Sequence, residues 1–179
     1  MGTSLRSLLL GALCTLAVVT TTQAQEGRAN HRTGLWGGIG LGYGVVGFLD
    51  CDGCESEGGL SGNARIGGTV SPSLRIAAGT NGWYKDIDGV GVQMGLLSGQ
   101  VLYYPGAKDF FLLGGAGFAL LDCDGCDGES GAGFVIGAGY DLPINRSGSL
   151  ALTPFVNWIV TTIEANPYFL QFGLGLTFD

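Results

Sequence analysis

Basic residues are scarce in this chain: 8 Lys and Arg stand against 15 Asp and Glu, for a formal net charge of -7 over 179 residues. No basic stripe forms along it, which excludes a nucleic-acid surface. Charged residues of both signs make up only 13%, too few to clothe a water-facing sheet on both sides. Histidine occurs once, as His31, ahead of the patterned part of the chain, so a Ser/His pair held within a fold lacks its base. Beyond the first two dozen residues no apolar run approaches the roughly 20 residues that a helical membrane span requires. A dinucleotide site is excluded as well: Gly38-Ile-Gly-Leu-Gly42 carries the glycines of such a fingerprint, but no helical pattern follows.

The first segment has the marks of export. Arg6 is a short positive region, Leu8 to Thr20 is apolar, and Thr22-Gln-Ala24 ends in a small residue before Gln25, which predicts a secretory signal peptide over 1–24. Cys14 follows a bulky Leu13, which does not suit lipid attachment at that cysteine. Residues 25–33 are polar and aperiodic and are expected to be a leader; the barrel described next is expected over 34–179.

Glycine is what the chain has in excess, 35 residues in all. No Gly-X-Y period runs through them. They alternate with Leu, Ile, Val, Phe and Tyr, and the clearest case is the closing stretch. Tyr168, Leu170, Phe172, Leu174, Leu176 and Phe178 alternate with Gln171, Gly173, Gly175 and Thr177, the period of two of a strand with one apolar face. The same period predicts strands over 34–49, 60–70, 74–84, 90–104, 109–121, 131–142 and 149–160. In 90–104 the bulky phase is Val92, Met94, Leu96, Leu102 and Tyr104, interrupted by Ser98 and Gln100, against Gly91, Gln93, Gly95 and Gly99. Pro154 falls within 149–160, where it removes a ladder donor.

Eight strands in hairpin succession, each long enough for lipid, predict an all-β, eight-stranded antiparallel up-and-down transmembrane β-barrel. Bulky residues would face acyl chains. The other face carries glycine with Asn63, Arg65, Arg75, Asn81, Gln93, Asp141, Asn157 and Gln171, suited to a narrow polar lumen. A soluble barrel with an apolar cavity would need the opposite arrangement and a charged exterior. Connections alternate too: those after the second, fourth and sixth strands are short turns with Pro72, Pro105 and Pro143, and the others are acidic. That is the polarity of a barrel with periplasmic turns and outer loops.

Signal peptide, eight alternating strands and an aromatic-rich last strand together resemble the small outer-membrane barrels of the OmpA/OmpX type. The resemblance implies a cell outer membrane location, contact with outer-membrane lipid and recognition of the last strand by the barrel insertion machinery. Asp179 departs from the pattern, displacing the terminal aromatic by one place.

Leu49-Asp-Cys-Asp-Gly-Cys54 and Leu121-Asp-Cys-Asp-Gly-Cys126 are identical over six residues and fall in the first and third outer loops. Cys51, Cys54, Cys123 and Cys126 admit three readings: disulfides closing each short loop in an oxidising compartment, a four-thiolate zinc site, or a redox pair, which lacks its supporting fold. Asp50, Asp52, Asp122, Asp124 and Asp127, with Glu55, Glu57, Asp86, Asp88, Glu129 and Glu164, make the same end acidic. Divalent cations are therefore possible partners there, although no complete calcium-loop spacing occurs. Arg65, Arg75 and Asp141 are expected to pair inside the lumen. The functional expectation is a non-enzymatic surface or structural barrel without a cofactor. A metal-binding or sensing module using the two cysteine loops is the first alternative, and a lipid-active enzyme the second.

Overall fold

The computed structural model describes residues 32–49 and 55–179. The expected signal peptide, most of the leader with His31, and Asp50, Cys51, Asp52 and Cys54 lie outside the described residues. The strands are β1 (Leu35–Phe48), β2 (Glu57–Ser71), β3 (Leu74–Ile87), β4 (Val90–Tyr103), β5 (Phe110–Cys123), β6 (Glu129–Tyr140), β7 (Leu142–Pro143), β8 (Leu150–Thr161) and β9 (Pro167–Phe178). Every neighbour is antiparallel; β1 pairs with β9, and β6 pairs with β8. β7 is a two-residue tail of β6 that also pairs with β8, so the segments form eight staves of a closed barrel. Closure matters because an unpaired backbone group in hydrocarbon costs several kcal/mol.

Alternation then decides which side chains meet which medium. Leu41 is 70% exposed and Phe118 76%, whereas Arg75, Asn157 and Gln171 are fully buried. The greasy residues lie outside and the polar ones inside, the reverse of a soluble barrel. Tyr43, Leu60 and Tyr84 are register partners near the end carrying the cysteine loop, and Tyr103, Phe110 and Phe178 are exposed near the other. Aromatics at both ends of an apolar band are the mark of a membrane barrel. Where β1 meets β9, Gly42 faces Gly173; a Cβ on Gly42 would collide with the Phe172 carbonyl, so only glycine permits that approach.

β4 overturns one expectation. Met94, Leu96, Leu102 and Tyr104 point into the lumen with Ser98 and Gln100, while Leu97, Val101 and Tyr103 are exposed. Register is the cause: Met94 sits opposite Trp83 and Leu96 opposite Asn81, and cross-strand partners share a face. Ser98 and Gln100 were thus true lumen residues and their bulky phase-mates came with them. Gln93, expected inside, is on the exterior, donating to Asp122 at 3.0 Å. The expected acidic loop at 85–89 is mostly strand, turned by Asp88 (φ 53°) and Gly89 (φ 83°), the two positive φ values of a tight hairpin turn. β2 begins at Glu57 rather than residue 60, and Pro154 is accommodated within β8 opposite Leu174.

Candidate functional site: a stoppered lumen under an acidic rim

The middle of the lumen is crossed by a layer of amides. Gln171, on β9, accepts at Oε1 from Asn81 and lies 2.9 Å from the Asn157 carboxamide. It donates to Ser61 Oγ at 2.6 Å and the Gly62 carbonyl at 2.8 Å. Gln100 accepts from Arg65 Nε at 3.0 Å and donates to Ser98 at 2.9 Å. Five strands thereby converge on one plane, with every member satisfied through another.

Below this layer, toward the proline-bearing turns, charged groups enter the lumen beside the buried Trp36, Leu102, Phe111 and Leu113. Arg75 does not pair with Asp141 as expected; it bonds the side chain of Asp179 at 2.5 Å, so the residue that displaces the terminal aromatic has an interior role. Asp141 instead accepts from Thr153 Oγ1 at 2.8 Å and Tyr104 OH at 3.1 Å. Arg65, the third member of the expected set, rests on the carboxamides of Gln100 and Asn157. Arg32, from the segment expected to be a free leader, is 2% exposed. Its guanidinium stacks 3.9 Å over the Tyr104 ring, donates to the Lys108 carbonyl at 2.8 Å and meets Asp109 at 3.2 Å. Burial first, and then the Asp141 carboxylate, push the Tyr104 phenol above its ordinary pKa.

Above the amide layer the filling is apolar: Trp83, Met94, Leu96, Ile159, Ile163 and Phe169 are all under 5% exposed. Trp83 fixes its indole by donating to the Gly44 carbonyl at 3.0 Å. A cavity of about 940 Å³ borders this level but lies against the outer wall. Its exposed walls are Leu41, Leu60, Tyr84, Leu97 and Leu120, and its floor is the backbone at Gly62, Gly82 and Gly95, which are register partners. Of the inward residues touching it, Ser61, Asn81, Trp83, Met94 and Leu96 are buried, and Asn63 and Leu121 are half-buried.

At the outer rim Cys123 and Cys126 stand at disulfide distance, with Cα atoms 5.5 Å apart. Asp122 takes the Gln93 amide, and Asp124 accepts the Gly91 N–H at 3.2 Å; Asp127 is exposed. Lys85 pairs with Glu57. Among the described residues no group of three or more His, Cys, Asp or Glu is arranged to hold a metal ion. Arg32, Tyr104 and Thr153 were not singled out from sequence. Tyr104 hid within an apolar phase, and Arg32 carries no periodic signal at all.

No family model and no curated protein sequence matches the chain. Solved structures do. Neisserial surface protein A is 13% identical with a TM-score of 0.61, over 82% of this chain and 97% of that one. Ail, the attachment invasion locus protein of Yersinia pestis, is 11% identical with a TM-score of 0.59, over 82% and 99%. The outer membrane protein OprG from Pseudomonas aeruginosa is 13% identical with a TM-score of 0.52, over 82% and 97%. At such identities the likeness is one of fold, and it agrees with the inverted polarity and closed sheet described above: the chain has the fold of the small eight-stranded outer-membrane β-barrels.

Proposed function

We propose that the chain is a non-enzymatic protein of a bacterial outer membrane that works at its outer rim, in a structural or surface-interaction role. On this reading the segment 1–24 directs export, the insertion machinery takes β9 as its signal, and the acidic cysteine loops face the outside. The observation that carries it is the filled lumen. Charged pairs, amides and apolar side chains succeed one another along its length, which leaves the rim as the place for contact. Ail, an attachment invasion locus protein, and a neisserial surface protein share the fold. Liposomes carrying the folded barrel should swell in an isotonic small sugar no faster than empty liposomes. Swelling at the rate of a general porin would sink the reading.

The duplicated Leu-Asp-Cys-Asp-Gly-Cys sequence favours a second reading, a metal-binding or sensing rim. Cys123 and Cys126 at disulfide distance support one disulfide per loop instead, with Asp122, Asp124 and Asp127 offering only loose oxygen ligands to divalent cations. Intact mass with and without reductant separates the two. A mass four hydrogen atoms below that of the reduced chain and no zinc supports disulfides; a mass unchanged by reductant once the metal is removed, with one zinc bound beforehand, supports the metal site.

A further inference from the structure

The charged half of the lumen is out of balance in its hydrogen bonding. The buried side-chain atoms without a partner among the described residues are Arg32 Nε, Trp36 Nε1, Asn63 Nδ2, Arg75 Nε, Arg75 Nη1 and the hydroxyl of Thr69. All but the last are N–H donors. Such groups are costly to leave unpaired, at about 1–3 kcal/mol each, and here the surplus has one sign: donors without acceptors.

The residues that carry two of these donors line one void. It measures about 10 Å³ and is bounded by Trp36, Asn63, Arg65, Tyr104, Thr153 and Thr177, among others. That is room for about one water-sized sphere. Trp36 is 4% exposed and Arg65 9%. Arg65 differs from the other two lumen arginines. Arg32 meets Asp109 and Arg75 meets Asp179, whereas Arg65 touches only the neutral carboxamides of Gln100 and Asn157. Asp141 acts on it only through space: its oxygens accept from Thr153 and Tyr104, and no hydrogen bond joins it to Arg65. A buried guanidinium whose direct contacts are all neutral is disfavoured.

We propose that this void is a binding site for one small monovalent anion of the halide type, held by the Arg65 guanidinium, Trp36 Nε1 and Asn63 Nδ2. A water molecule in the same place could donate to Thr177 Oγ1, which lies 2.8 Å from Thr153 Oγ1, but it would bring no charge to Arg65 and would set its own two hydrogens among a surplus of donors. A halide only accepts, which matches the surplus. The ion supplies the missing counter-charge to Arg65 and ties β1 to β2 within the lumen.

Bromide is the direct probe. Crystals of the detergent-folded, full mature barrel soaked in sodium bromide, with data collected at the bromine absorption edge, should show one anomalous peak between Arg65, Trp36 and Asn63. Density of water size there without anomalous signal overturns the proposal, as does bromide found on the protein surface alone. In solution, the thermal midpoint should be higher in sodium chloride than in sodium gluconate of equal ionic strength, and Arg65→Gln should abolish the difference. Trp36→Phe keeps an aromatic side chain, though a smaller one, and removes the N–H, so it should reduce halide affinity several-fold even if Arg65→Gln fails to fold. Equal midpoints in the two salts for the unaltered protein overturn the site.

Discussion

The two halves of the lumen are closed by different physics. Toward the outer rim, Trp83, Met94, Leu96 and Phe169 fill the space with non-directional contacts. Toward the proline turns, Arg32, Arg75, Tyr104, Asp109, Asp141 and Asp179 add charge and directed hydrogen bonds to the buried Trp36, Leu102, Phe111 and Leu113. An apolar plug tolerates a changed shape if the volume is kept. A polar plug is worth having only while each member keeps its partner, because the same low dielectric that strengthens a made bond penalises a broken one. The barrel thus has one forgiving end and one exacting end.

Breaking the exacting end should have the largest effect. Arg75→Ala takes one cation away from the Asp179 side chain, only 9% exposed, and withdraws the guanidinium from over Trp36 and Tyr104. Removing one partner of a buried pair costs about 3–5 kcal/mol. Urea titration of the barrel refolded into phospholipid vesicles measures this, and a loss below about 1 kcal/mol would erase the contrast between the halves. Met94→Ala tests the forgiving end by the same titration. The transfer and cavity terms for such a deletion span about 2–5 kcal/mol; the lower part of that range is expected, because Trp83 and Leu96 beside it are free of partners that would stop them settling inward, apart from the single indole bond to Gly44.

The difference between the ends also explains what the sequence could convey. β9 was legible because its faces differ in kind: Leu170, Phe172 and Leu174 outside, Gln171 and Gly173 inside, so a period of two assigns both phases at once. β4 was not. Its lumen face carries Met94 and Leu96 in the forgiving half and Ser98 and Gln100 in the amide layer, while its lipid face offers only Leu97, Val101 and Tyr103 among glycines. A rule that sends the bulkier phase to lipid fails wherever the lumen itself is packed with apolar side chains. Only the register with β3 fixes such a strand, and register is a tertiary fact. The lower site was half legible for a related reason. Arg65, Arg75 and Asp141 stood out as charges on a glycine-rich face, but their partners, Asp179 at the end of the chain and Tyr104 beyond a turn, are distant in sequence and become neighbours only when the barrel closes.

Within the exacting end, Tyr104 gives the comparison a pH dependence. Its phenol keeps its proton in the folded barrel above the ordinary tyrosine value of about 10. The unfolded chain releases that proton at about pH 10, so the stability it confers is fully present below that pH and declines as pH rises toward the folded pKa, by about 1.4 kcal/mol per unit. Tyr104→Phe should flatten this alkaline slope relative to the unaltered barrel, at a cost of about 1 kcal/mol near neutrality for the hydrogen bond lost to Asp141. Parallel slopes for the two proteins between pH 10 and higher values would show that the phenol is not held in this way.

The smallest effect belongs outside both halves. Asp124 is exposed on the rim and accepts a single backbone N–H from Gly91, so water readily replaces what it provides. Asp124→Asn keeps an acceptor oxygen and removes one negative charge. Its effect on the vesicle titration should be within about 0.5 kcal/mol, the range of ordinary surface substitutions, while binding of divalent cations to the rim, read by isothermal titration with calcium or magnesium, should weaken. The rim would then be acidic for what it meets outside rather than for the stability of the sheet beneath it. A destabilisation as large as that of Arg75→Ala would make Asp124 a third structural centre and remove the separation between the part of the barrel that holds the fold and the part left free for contact.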